Sequence, residues 1–416
     1  MKKLLLLSTS LLILTKVNAQ VVADTVSLGA GYTNQKWYSL ENDEQGTSPK
    51  NNWDIAFDVS GFGSSIHINS VTGTMLWKYS SADTAGWATI DTTGIATWPA
   101  LYNSDTSWAL GAFDKGIILS NSFDLGWGVY NPTNHITTGD SLFVIKLAGG
   151  TYKKLWIEQL GSATYSFRYA DLNGGNLQVA SILKSTYAGK NFGYYSLQSN
   201  TELSREPISA DWDFSFMQYT TFLPTPYGVT GIIANKGVEV AQANNINNVA
   251  AYADWNAHTY VSKINEIGYD WKAFTGTAYA ITDSLIYFVK TNAGDIWKVI
   301  PTGFGGGANG NCMFTKQKIS SVSITDINEK NNATMAVYPN PSAGENITLV
   351  YNFERNSPFS DLTILDVMGK TVYTDKLNGK KGLHQYQFSL EGLNAGIYFV
   401  TINSNGSRLQ QKLIIQ

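Results

Sequence analysis

A chain of 416 residues exceeds one ordinary domain of roughly 100–200 residues and can bury more than one core. Only 15% of it is charged while 13% is aromatic, and 38 glycines punctuate it, which excludes a protein of long solvated helices and favours short strands and turns. The net charge of −3, with no cluster of Lys or Arg, excludes condensation onto phosphate backbones or anionic lipid, so no nucleic-acid partner is expected.

Residues 1–19 read as a signal peptide: Lys2 and Lys3 precede an apolar run from Leu4 to Leu14, and Val17-Asn18-Ala19 offers small residues for cleavage before Gln20. The run is shorter than the ~20 apolar residues a spanning helix needs, and no later stretch replaces it, so a secreted protein without a transmembrane segment is expected. Cys312 is the single cysteine, which rules out an intrachain disulfide and is expected to be a buried, inert thiol.

The next stretch says the same thing twice. Asn52-Trp53-Asp54-Ile55-Ala56-Phe57 is echoed by Ala210-Asp211-Trp212-Asp213-Phe214-Ser215-Phe216. Matching openers lie upstream at similar distances, Trp37-Tyr38-Ser39-Leu40 and Tyr194-Tyr195-Ser196-Leu197, and downstream come Ile66-His67-Ile68-Asn69 and Ile232-Ile233-Ala234-Asn235. Trp87 is matched to Trp271, and Asp140-Ser141-Leu142 to Asp283-Ser284-Leu285. Blocks recurring in one order indicate a tandem duplication, divided here into residues 20–180 and 181–320. Alternation in Trp53, Ile55, Phe57 and Val59 is that of a half-buried strand, and Gly149-Gly150 reads as a hairpin turn between two strands. The segment 238–257 has apolar residues near helical spacing and is expected to be a short helix. The glycines at 303–310 satisfy a loose GxGxxG, but no helical pattern follows, so a surface loop is expected rather than a dinucleotide site.

Residues 321–334 are polar and read as a linker. Residues 335–416 resume a strand pattern with seven segments, the signature of a small antiparallel sandwich of immunoglobulin-like type. The expected fold class is therefore mainly β, with a duplicated antiparallel β-sheet region followed by that seven-stranded β-sandwich.

The tail resembles the type A C-terminal sorting domain of the type IX secretion system of Bacteroidetes. The resemblance is carried by Tyr338-Pro339-Asn340-Pro341, the turn Asp366-Val367-Met368-Gly369, Leu393-Asn394-Ala395-Gly396-Ile397-Tyr398 and the terminal Lys412-Leu413-Ile414-Ile415-Gln416. It implies delivery to the exterior or the outer-membrane surface, with the type IX machinery as partner and Pro339, Asn340, Pro341, Asp366, Gly369, Gly396, Tyr398 and Lys412 as sorting-signal residues. The duplicated region, about 31–319, resembles the HmuY family of haem-binding proteins from the same bacteria. That rests on the tyrosine-rich opener, the Trp53 and Trp212 blocks, Asn69 before Gly73, Gly126-Trp127-Gly128, and Gly139-Asp140-Ser141-Leu142-Phe143. This resemblance implies haem as cofactor, its iron held between two side chains in an all-β cleft.

Haem iron takes imidazole or thioether donors. Outside the tail the candidate ligands are His135, which follows a turn and is accessible, His67, whose side chain faces opposite to Ile66 and Ile68 and also fits a plain surface or cross-strand role, and His258; Met75, Met217 and Met313 are thioether candidates. No GxSxG, HExxH or SxxK occurs, and the carboxylates are scattered, so no catalysis and no metal site are expected. The recurring Asp54 and Asp213 are expected to cap backbone amides. The 12 Trp and 23 Tyr leave open a glycan or protein ligand instead of haem, through exposed rings such as Trp98, Trp108 or Trp127.

Overall fold

The computed structural model describes residues 20–320, 333–353, 356, 360–366, 369–404 and 407–416. The signal peptide and most of the predicted linker lie outside the described residues, as do Val367 and Met368 of the sorting turn. The chain forms two units, residues 1–321 and 322–416. Each has a hydrophobic core of its own.

Among its described residues the first unit contains twenty-two strands. Repeat one supplies β1 (Val22–Ser27), β2 (Asn34–Ser39), β3 (Asp43–Pro49), β4 (Ile55–Asp58), β5 (Ile66–Ile68), β6 (Met75–Lys78), β7 (Gly128–Asn131), β8 (Ile136–Gly139), β9 (Phe143–Lys146), β10 (Tyr152–Gly161) and β11 (Thr164–Asp171). Repeat two supplies β12 (Gln178–Leu183), β13 (Phe192–Ser196), β14 (Thr201–Leu203), β15 (Phe214–Phe222), β16 (Pro226–Ala234), β17 (Glu239–Ala243), β18 (Lys272–Phe274), β19 (Tyr279–Ile281), β20 (Ile286–Lys290), β21 (Ile296–Phe304) and β22 (Asn311–Ser320). Strand for strand, the two sets of eleven correspond in order. The division falls between Asp171 and Gln178, at the turn through Asn173, Gly174 and Gly175, and not at residue 180, which lies inside β12.

Sheet pairing crosses that division. β13, opener of repeat two, pairs with β4 of repeat one, in the order β14-β13-β4-β5; β2, opener of repeat one, pairs with β15 of repeat two, in the order β16-β15-β2-β3. Likewise β12 closes the sheet that runs β12-β11-β10, whereas β1 closes β1-β22-β21-β20-β17. The first three strands of each repeat are thus exchanged.

Two sandwiches result. One core gathers Phe57, Ile66, Trp127, Phe143, Tyr165 and Phe167 around strands β4–β13. The other gathers Tyr38, Phe216, Trp271, Tyr287, Val299 and Phe314. The hairpin turn at Gly149-Gly150 is present, joining β9 to β10, with Leu147 N bonded to Thr151 O. Two expectations need correcting. Segment 238–257 is not a helix: Glu239–Ala243 is β17, paired with β20, and only Trp255–Ala257 coils into a short 3-10 turn, because sheet pairing outweighs a weak helical periodicity. Trp271 corresponds to Trp127 rather than Trp87, since each immediately precedes the small hairpin (β18–β19 or β7–β8) that leads to the shared Asp-Ser-Leu block. The glycine-rich stretch is the surface connection from β21 to β22, a single helical turn at Gly306–Asn309 in which Gly306 has φ 60, the left-handed region that favours glycine.

The second unit has the seven strands expected: β23 (Ala333–Tyr338), β24 (Ile347–Phe353), β25 (Ser360–Asp366), β26 (Thr371–Lys376), β27 (Gly382–Phe388), β28 (Gly396–Ser404) and β29 (Ser407–Ile415). They form sheets β23-β24-β27 and β26-β25-β28-β29 around Ile347, Leu349, Leu362, Ile364, Val400 and Leu413. β23 begins two residues inside the predicted linker.

Candidate functional site

The recurring aspartates are structural, and their partners lie far along the chain. Asp54 Oδ2 accepts from Leu197 N at 2.7 Å, and Asp213 Oδ2 accepts from Leu40 N at 2.7 Å. Each therefore holds the opener lent by the other repeat. Asn69 and Asn235 repeat the pattern: their Nδ2 groups donate to Trp53 O at 2.9 Å and Trp212 O at 2.7 Å. Burial pushes the Asp213 carboxyl up to about 6, against the pull of the Leu40 amide. These groups are consumed by the fold and offer nothing to a ligand.

The three candidate histidines stand apart. His67 is buried on β5, with Nε2 at 3.0 Å from Trp108 O and 3.2 Å from Ser65 Oγ, and its ring meets Phe192 edge-on at 4.9 Å. Burial pushes its pKa down to about 4, so it is neutral at physiological pH. It lines a narrow cleft between the sandwiches with Trp53, Trp108, Tyr194, Met217 and Tyr219, and the free space there is about 70 Å³. That suffices for a few waters and not for a macrocycle. His258 bonds Tyr252 Oη through Nε2 at 2.8 Å and stacks on Phe288 of β20 at 5.7 Å.

His135 occupies a different setting. It sits at the tip of the β7–β8 hairpin with φ 59, exposed, its Nδ1 2.7 Å from Tyr130 Oη. Around it, turns at one end of the first sandwich enclose a groove of about 550 Å³. Phe62 from the β4–β5 turn is fully exposed at its mouth, and Phe123, Leu160 and Lys184 complete the walls. Lys184 Nζ donates to Gly61 O at 3.2 Å and Gly63 O at 2.5 Å, tying the Phe62 turn down. Loop tips clustered at one end of a rigid sandwich are where β-sandwich proteins commonly place binding residues. The exposure of Phe62 is a signal that the flanking Ser60-Gly61 and Gly63-Ser64 could have given, since a turn so small and polar cannot bury a phenylalanine.

A two-ligand haem clamp does not fit. His67 and His135 line two different cavities and His258 lines neither, and the groove at His135 contains no methionine, cysteine or second histidine. A single imidazole donor does fit, because Tyr130 engages Nδ1 and leaves Nε2 without a protein partner. Among the described residues, no group of three or more His, Cys, Asp or Glu is placed to hold a metal ion. Of the tryptophans expected to be exposed, Trp127 is fully buried with its indole N–H donated to Ser64 O, and Trp108 is half-buried with its N–H given to Ala234 O. Trp98 is half-buried beside Tyr79. Cys312 is buried, which pushes its thiol up to about 12.

Several sorting-signal residues lie at one end of the four-stranded sheet of the second unit, where Asp366 pairs with Tyr398 and Gly396 with Ile415. Asn340 clamps the last strand from both sides, Nδ2 donating to Lys412 O at 2.7 Å and Oδ1 accepting from Ile414 N at 2.9 Å. Pro339 and Pro341 flank it through cis peptide bonds. Gly369, at φ 79, closes a turn onto Asp366 O at 3.0 Å, and Tyr398 Oη donates to Asn394 O at 2.8 Å beside Gly396.

Fold and motif together define an all-β exported protein made of a duplicated module and a sorting sandwich. Residues 336–416 match the family of secretion system C-terminal sorting domains. The tail thus marks the chain for export by the type IX secretion system and for the cell surface or outer membrane. No curated protein matches the chain. No helix among the described residues is long and apolar enough to cross a membrane.

Proposed function

We propose that the first unit is a non-catalytic, HmuY-like ligand-binding module carried to the cell exterior by its sorting tail, that the groove at His135 is its binding site, and that haem is the ligand. The groove carries this reading. It is a cavity of about 550 Å³ with apolar walls from Phe62, Phe123 and Leu160. That lies within the roughly 300–1,000 Å³ typical of small-molecule sites. His135 Nε2 would supply an imidazole donor to the iron, its ring held by Tyr130, and Lys184 at the rim would face carboxylate substituents. The chemistry such a group would supply there is reversible coordination and storage, since no carboxylate or thiol lines the groove to work beside the imidazole. A glycan reading has less support, because Trp127 is fully buried and Trp98 and Trp108 are half-buried, which leaves little indole face open to stack on a sugar.

Haemin titrated into residues 20–322 should give a saturable Soret shift at one equivalent with the spectrum of a single-histidine, five-coordinate haem. His135→Ala should weaken binding by about tenfold or more, while His67→Gln leaves it unchanged. A shift no larger than that of an unrelated protein, or one indifferent to His135→Ala, would refute the assignment.

A further inference from the structure

A strand at the edge of a sheet presents unpaired N–H and C=O groups, and proteins ordinarily guard such edges with charge, proline, brevity or cover. The described edges of the first unit obey this in all but one place. β1 carries Asp24, β3 carries Asp43 and Glu44, β14 carries Glu202, and β17 carries Glu239 and is bridged by Val261. β6 is bridged at Leu76 by Leu101 and β7 at Val129 by Asp124, while β18 and β19 are three residues each. β16 opens with Pro226 and is bridged at Ile232 by Gly268, and β5 has both backbone groups of Ile68 taken by the Asn103 side chain.

β12 departs from the pattern. It ends its sheet, paired with β11 alone, and Leu177-Gln178-Val179-Ala180-Ser181-Ile182-Leu183 contains no charge and no proline. Its counterpart β1 shows that the position can be guarded, by Asp24. Ile182 faces the core, whereas Leu177, Val179 and Leu183 are 50%, 67% and 44% exposed along the outer side. The bond from Lys184 N to Ala163 O fixes the parity of the ladder: even-numbered residues bond to β11, so the N–H and C=O groups of Val179, Ser181 and Leu183 point outward.

The sequence of this edge also complements itself. Turned antiparallel about Ala180, a second copy would set Leu177 opposite Leu183 and Val179 opposite Ser181, each at an outward-bonding position. We infer that β12 is a docking edge for β12 of a second copy of this chain, so that two first-sandwich sheets join into one continuous antiparallel sheet. The interface is isologous and closes at two copies. It leaves the groove at His135 outside the argument and stands whether or not that groove binds haem.

Sedimentation velocity on residues 20–416 over about 1–100 µM, the range suited to a small edge contact, should show a reversible monomer–dimer equilibrium. Val179→Lys, at an exposed position, should weaken it by about tenfold or more without changing the circular dichroism or the melting temperature. Ser181→Pro, which removes one outward N–H, should do the same. A monomer at every concentration overturns the inference. So does a dimer indifferent to both substitutions, which would place the contact elsewhere, or a monomer that instead takes up an added peptide of residues 177–183 without self-association of the chain.

Discussion

His67 shows how one side chain can be read two ways until its surroundings are known. Its alternation with Ile66 and Ile68 marks a strand, but the face opposite to theirs is also buried, against Trp108 and Phe192. Its folded-state pKa of about 4 lies below the unfolded value of about 6.5, so between those values the unfolded chain binds more protons. Stability from this group is full above about pH 6.5 and falls as pH drops towards 4, by on the order of 3 kcal/mol. Urea unfolding of residues 20–322 at pH 7 and pH 5 should therefore show a loss for the native chain that is smaller in His67→Gln, where no imidazole remains to be charged. Equal losses in both would assign the acid sensitivity to other groups.

Among the elements, the aspartate clamps decide which strand neighbours which. β13 reaches β4 because Asp54 receives Leu197 N and Gln198 Nε2, and because Asp54 N donates to Tyr195 O. Asp54→Ala would leave the amide of the buried Leu197 without its acceptor. A cost of about 2–4 kcal/mol is expected from such an orphaned donor, and a smaller one for Asp54→Asn, which keeps an acceptor in place. Denaturant midpoints of the two variants against the native chain check this. If Asp54→Ala cost no more than a surface substitution, the clamp would not be what holds the opener.

Across the molecule, strand exchange leaves neither repeat with a complete sandwich of its own. Cutting after residue 180 severs β12 and removes strands from both sandwiches. Fragments 20–180 and 181–320 should each fail to fold alone and should regain native circular dichroism when mixed. The contiguous fragment 50–206 spans β4–β14, a whole sandwich without borrowed strands, and should fold by itself with a melting transition of its own. Independent folding of 20–180 would contradict this pairing.

Strands, duplication and sorting sandwich are all legible in the amino-acid order, because each is written in local periodicity, turn residues and recurring blocks. Asn340, Gly369 and Tyr398 can be singled out from motif alone, and the structure gives each a bond that explains its place. Which repeat an opener pairs with is not legible there. The openers around Trp37 and Tyr194 suit either partner equally, since duplication gives both repeats the same edge, and chain connectivity with the Asp54 and Asp213 clamps makes the choice. The groove is half legible: His135 stands out as an accessible imidazole after a turn, while Phe62, Phe123 and Lys184 come from distant turns that only the closed sandwich brings together. Pairing over such separations is a property of tertiary packing, where burying both faces of each sheet outweighs the local preferences that a sequence displays.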